Sequence, residues 1–114
     1  MIKIKRAYDK AEKSDGVRIL VDRLWPRGVS KAKLKLDRWE KDVAPSDKLR
    51  KWFGHDPIRW SEFERKYKSE LKARKKELAE LRSLSKKKTV TLVFGAKDVE
   101  HNQAVALKKM LSGT

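Results

Sequence analysis

The chain contains no cysteine. That excludes a disulfide framework, a thiolate nucleophile and a thiolate metal site. Its two histidines, His55 and His101, lie far apart and make a poor start for a metal centre. No apolar run approaches the ~20 residues of a membrane span. Met1-Ile2-Lys3-Ile4-Lys5 has no apolar core of the signal-peptide kind. A cytoplasmic location without a membrane partner is the expectation. The chain also lacks a P-loop, a dinucleotide glycine pattern, a His-Glu-x-x-His pair, a nucleophile elbow, internal repeats and low-complexity linkers. No cofactor is expected, and the catalytic residues, if any, are not legible. With three prolines and five glycines, the few breaks in the chain are well defined.

What is present is charge and tryptophan. At 114 residues the chain suits a single α/β domain spanning 1–114. An apolar content of 39% that includes four tryptophans favours a packed core over disorder. The net charge is +15. Residues 1–41 carry +7 and residues 61–88 carry +6, whereas residues 42–60 and 89–114 carry +1 each. An excess of this size attracts polyanions such as nucleic acid. A Lys/Glu-rich surface from a hot environment accounts equally for the 41% of charged residues, though poorly for the imbalance of sign.

Along the chain, Ile2 and Ile4 alternate with Lys3 and Lys5, the pattern of a half-exposed edge strand. A polar connection from Asp9 closes at Asp15-Gly16, and whether the first two strands run parallel stays open. Ile19-Leu20-Val21 reads as a buried strand that stops abruptly in Asp22-Arg23-Leu24-Trp25-Pro26-Arg27-Gly28. Ser30 is placed to cap a short irregular helix over 31–40, with Leu34, Leu36 and Trp39 apolar. Ser46 caps a second, with Leu49, Trp52 and Phe53 on one face and Gly54 as its stop. Asp56-Pro57 opens one long amphipathic helix over about 57–84, whose far end is expected to project beyond the body. Thr89 to Phe94 is a second buried strand. Asp98 is placed to cap a final helix that ends at Gly113.

The fold expected is therefore a small, mainly parallel sheet of about three strands with helices packed against it. Parallel strands put their C-terminal loops on one edge, where α/β proteins bind ligands. The loop Asp22 to Gly28 then faces the loop Gly95 to Asn102. Arg23, Arg27 and Lys97 are candidates to hold an anion beside the start of the last helix. Asp22 would orient the arginines or act as a base, and Asn102 would bind a polar group. Pro26, Gly28 and Asp98 complete the candidate site, with Tyr8, Trp25, Ser46, Arg50 and His101 as accessories. An ion pair between Asp22 and Arg23 is the plainer reading of those two residues. His55-Asp56 reads more readily as a helix connection than as a base with its orienting acid. The ligand classes in play are an anionic small molecule, phosphorylated or nucleotide-like, and nucleic acid, the latter on the long helix and residues 31–41. A homo-oligomer pairing Leu78, Leu81 and Leu84 is a third reading.

Several strings match a known family. Arg6-Ala7-Tyr8-Asp9 and Leu20-Val21-Asp22-Arg23-Leu24-Trp25-Pro26-Arg27-Gly28 resemble YeaO-like proteins of the domain-of-unknown-function 488 family. So do Ala44-Pro45-Ser46, Trp52-Phe53, the Phe63…Tyr67…Glu70-Leu71 helix and Ala96-Lys97-Asp98…Asn102. The resemblance covers essentially the whole chain. Longer relatives carry Cys-His-Arg after the last strand, and YeaO-like chains usually Asn-His-Ala. This chain reads Asn102-Gln103-Ala104. The departure speaks against an imidazole-dependent reaction at position 103, and leaves a binding role, or chemistry resting on Asp22, Arg23 and Arg27, as what the resemblance allows.

Overall fold

The structure is a computed structural model and describes residues 1–112. Four strands form one sheet: β1 (Ile2–Arg6), β2 (Val17–Leu20), β3 (Arg38–Trp39) and β4 (Val90–Phe94). Their order is β1-β4-β2-β3 and every pairing is parallel. The α/β class and parallel sheet match the sequence reading, with four strands in place of about three. β1 and β2 are parallel to each other but not adjacent, because β4 is inserted between them. All five residues of β4 are buried. That central position explains the unbroken run Val90-Thr91-Leu92-Val93-Phe94, since a strand covered on both faces has no need of polar alternation.

The helices are α1 (Lys31–Leu34), α2 (Asp47–Phe53), α3 (Trp60–Leu71), α4 (Lys75–Lys87) and α5 (Gln103–Ser112). Ile19, Val21, Leu92 and Phe94 share one core cluster with residues of α2 to α5. On the other face, Leu20 and Val93 are covered more thinly by Val29, Leu34 and Trp25.

Three expected elements differ. The helix over 31–40 is a single turn capped by Ser30, ending where Lys35 turns left-handed at φ 47°. The chain then extends, and Arg38–Trp39 pairs with Ile19–Leu20. The apolar spacing Leu34, Leu36, Trp39 mimics a helix face, but only Leu34 is buried; Leu36 is half-buried and Trp39, on β3, is exposed. The long helix bends at a 3-10 turn over Lys72–Arg74, and α4 packs back onto the body. Leu78 and Leu81 are buried within the chain, and the Arg82 guanidinium donates to the Met110 carbonyl at 3.1 Å. The face offered for self-association is therefore occupied. Finally, α5 begins at Gln103 rather than after Asp98. Asn102 is its cap and accepts from the Val105 N–H at 3.1 Å. The expected end of that helix, at Gly113, lies outside the described residues. No helix among the described residues is long and apolar enough to cross a membrane.

Candidate functional site

The C-terminal ends of β2 and β4 meet as the parallel-strand argument requires. Val21 continues the ladder by donating to the Val93 carbonyl at 3.0 Å. One residue later the Asp22 side chain crosses to the next strand and accepts the Gly95 N–H at 2.8 Å. Gly95 makes this approach feasible: a Cβ there would lie 3.0 Å from the same carboxylate oxygen. The second Asp22 oxygen accepts from the Gln103 side-chain amide, in the first turn of α5. Its backbone carbonyl accepts the Trp39 indole N–H at 2.7 Å. Burial pushes the Asp22 carboxyl up to about 6, opposed by hydrogen bonds from Gly95 and Gln103 and by the positive field of Arg50. The carboxyl therefore exchanges its proton close to neutral pH, a setting more often found at functional sites than in scaffolding.

Above Asp22 lies a cavity of about 230 Å³. Its back wall is aromatic: Phe53 and Phe63 stack with centroids 4.3 Å apart, and Tyr67 continues the stack behind Phe63 at 5.7 Å. Pro26, Pro45, Trp25 and Leu24 close the sides, with Gly95 and Ala96 along the strand end. Tyr8, whose hydroxyl donates to the Arg27 carbonyl at 2.9 Å, ties the strap that follows β1 to the opposite rim. The cations lining the cavity are Arg27 and Arg50. Arg27 makes no side-chain hydrogen bond or ion pair among the described residues, and Arg50 makes only a 3.4 Å contact to Asp47.

Of the sequence candidates, Tyr8, Asp22, Trp25, Pro26, Arg27 and Arg50 line this cavity. The others have different employment. Arg23 donates to the Pro45 and Ala44 carbonyls at 3.1 and 3.4 Å, fastening the segment that leads into α2. It is not the ion-pair partner of Asp22. Gly28 supplies a turn at φ 79°. Lys97 is exposed and outside the cavity lining. Asp98 accepts the N–H groups of Glu100 and His101 at 2.9 and 3.0 Å and contacts the His101 ring at 2.9 Å. Two of the donors expected to await an anion before α5, the Glu100 and His101 N–H groups, are thereby taken. Asn102 is buried and spent on its cap and on the Asp98 carbonyl, to which its amide donates at 2.9 Å. Ser46 caps α2 and donates its hydroxyl to Glu70 at 2.5 Å.

Gln103, His55, Phe53 and Phe63 line the cavity without having been singled out as ligand residues. Phe53 and Phe63 sat on amphipathic stripes and so read as core. His55 is held there by a left-handed backbone at φ 57°, directly after Gly54 at φ 54°, a tight corner whose direction spacing alone does not reveal. Gln103 became noticeable only through the resemblance, as the residue standing where a histidine is usual.

A profile of the family DUF488-N3i, described as an inactive DUF488-N3 subclade, matches residues 1–114. The chain belongs to the DUF488 family. It is 44% identical over 110 residues to the uncharacterized protein YeaO of Escherichia coli (strain K12), covering 96% of each chain. It is 40% identical over 112 residues to the uncharacterized protein Mb3100c of Mycobacterium bovis, covering 98% of this chain and 94% of the relative. No solved structure matches. Within this DUF488 chain, the Gln103 amide donates to the Asp22 carboxylate, and both residues line the cavity.

Proposed function

We propose that the protein binds a small anionic ligand, phosphorylated or nucleotide-like, in the Asp22 cavity and holds it without chemical turnover. The observation that carries this reading is the convergence of two arginines and a carboxyl of raised pKa on one part-aromatic cavity. Arg27 and Arg50 are planar donors suited to phosphate or carboxylate. The Phe53 and Phe63 wall accommodates a flat apolar group. At about 230 Å³ the cavity falls below the roughly 300–1,000 Å³ usual for drug-sized ligands, which favours a fragment such as a base, a sugar phosphate or an aromatic acid. Binding without turnover agrees with an amide at position 103 and with the inactive subclade to which the chain belongs. An amide orients a carboxylate but does not shuttle protons.

An anion entering beside Asp22 favours its neutral form. Binding therefore brings proton uptake, and affinity rises as pH falls from about 7 towards 5. A thermal-shift screen of inorganic phosphate, nucleoside monophosphates and aromatic carboxylates tests the reading. At least one class is expected to stabilise the protein, and Arg27→Ala to abolish the shift. If Arg27→Ala leaves every anion response unchanged, the proposal fails.

A further inference from the structure

A second cavity, of about 250 Å³, lies beside the edge strand β3 and is lined by Trp25, Lys31, Leu36, Asp37, Arg38 and Trp39. Trp25 also lines the Asp22 cavity, so the two cavities share that residue. Trp25 and Trp39 meet edge to face with centroids 5.4 Å apart. Both indole N–H groups point inward, to the Val29 and Asp22 carbonyls, each at 2.7 Å. With their polar atoms satisfied by backbone, the tryptophans offer the outside only π surface. Trp39 is 36% exposed, and Lys41 rests its ammonium 4.0 Å above the ring. The pair is thus presented at the surface rather than spent wholly on the core.

The surroundings are basic and largely unpaired. Residues 25–41 hold six cations and two carboxylates. Within them the one ion pair among the described residues is Arg38 with Glu40, at a loose 3.7 Å. Asp37, the carboxylate in the groove, is turned inward to accept the Arg18 N–H at 2.8 Å.

We propose that this groove binds single-stranded nucleic acid, with Trp39 as the base-stacking surface and Lys31, Arg38 and Lys41 as phosphate contacts. Unpaired bases expose the π faces that such a surface needs, whereas in a duplex those faces are covered. An acidic peptide uses the cations but gains nothing from the ring. Lys41 covers Trp39 in the free protein; an arriving base takes that place and the ammonium moves to the adjoining phosphate. This site is distinct from α3 and α4, whose lysines have beside them Trp52, an indole less exposed than Trp39 and covered by two cations, Arg59 and Lys66.

The test is fluorescence anisotropy of the full chain with a fluorescein-labelled twelve-residue oligothymidylate at 50 mM salt. Engagement of three to five phosphates predicts an affinity loss of roughly 15- to 130-fold on raising salt to 200 mM. Trp39→Ala is expected to weaken binding roughly 5- to 150-fold, and Trp39→Phe much less. Because Trp39 also anchors Asp22, the double variant Arg38→Ala/Lys41→Ala provides a readout that leaves the indole in place. It should lower the slope of log affinity against log salt by about 1.4. A mixed-sequence duplex that binds as tightly as the single strand would overturn the proposal. So would polyglutamate displacing the oligonucleotide as effectively as unlabelled strand, or a double variant of unchanged affinity and slope. Absence of binding at 50 mM salt rejects it outright.

Discussion

Strand β2 has an aspartate just outside each end, and the two stand in opposite electrostatic settings. Asp15, before the strand, is fully buried and meets Arg18 at 2.7 Å and Lys5 at 2.9 Å. Its backbone carbonyl takes the Thr91 hydroxyl at 2.6 Å, and Arg18 in turn donates to the Leu34 carbonyl at 3.0 Å. Burial opposes ionisation of Asp15, but hydrogen bonds from Lys5, the Glu12 N–H and Arg18 hold its carboxyl below the usual range. Asp22, after the strand, is given an N–H and an amide instead of a cation, and its carboxyl rises to about 6. The first cluster sets one carboxylate against two cations, with the Arg18 Nη2 buried and without a hydrogen-bond partner among the described residues, and ties the thin face of the sheet to the strap over it. The second is left short of positive charge beside a cavity with two arginines at its rim. A buried carboxylate matched by cations reads as scaffold; the half-buried Asp22 carboxyl, which no cation contacts among the described residues, reads as a place for something else.

The contrast can be broken most severely at Asp15. Asp15→Ala leaves Arg18 buried without its carboxylate, and loss of one partner of such a pair costs about 3–5 kcal/mol. Urea denaturation should show that loss, or the protein should fail to fold. The neighbouring glycine is the next most sensitive position. Gly16 has φ 65°, and a Cβ there would overlap the Thr89 carbonyl. Gly16→Ala is expected to cost about 2–4 kcal/mol from strain and overpacking together.

At the other end the sign reverses. Because the folded-state pKa of Asp22 lies above its unfolded value of 3.8, its ionisation opposes folding. Stability carried by Asp22 is greatest below about pH 4 and declines as pH rises through about 6. Raising that carboxyl from 3.8 to about 6 corresponds to at most ~3 kcal/mol. Asp22→Asn should therefore be no less stable than the parent at pH 8, and the difference between the two should shrink towards pH 4. Asp15 behaves oppositely, since its contribution is present above 3.8 and is lost as pH falls below it. The smallest expected effect is that of Gln103→Leu. Removing the amide raises the Asp22 pKa further above 6, by a few tenths to one unit, with stability at pH 5 changed by less than about 1 kcal/mol. Carboxyl NMR titration resolves it.

Which of these features the sequence reveals follows from what carries the information. The buried strands and their parallel pairing were legible because Ile19-Leu20-Val21 and Val90 to Phe94 are continuous apolar runs separated by helices. The facing of Asp22 and Gly95 followed from that topology. The division of labour among charged residues was not legible. Arg23 and Arg27 are chemically alike and four positions apart, yet one caps carbonyls and the other faces the cavity. Backbone direction after the strand decides between them, and no periodicity encodes it in so short a loop. Asp98 and Asn102 are likewise both good helix caps, and only the tertiary position of the Asp98 turn decides that Asn102 starts α5. The bend at Lys72–Arg74 carries no glycine or proline signal, and beyond it Leu78 and Leu81 are buried in the core.

Mapping by backbone and side-chain amide NMR tests most directly whether the Asp22 cavity is a ligand site. Titration with phosphate and with a nucleoside monophosphate at pH 6 should move the signals of Gly95, the Gln103 side-chain amide and the guanidinium groups of Arg27 and Arg50. Those shifts should vanish in Arg27→Ala/Arg50→Ala. Shifts spread over the exposed lysines of α3 and α4, with Gly95 and Gln103 unmoved at saturating ligand, would contradict the account.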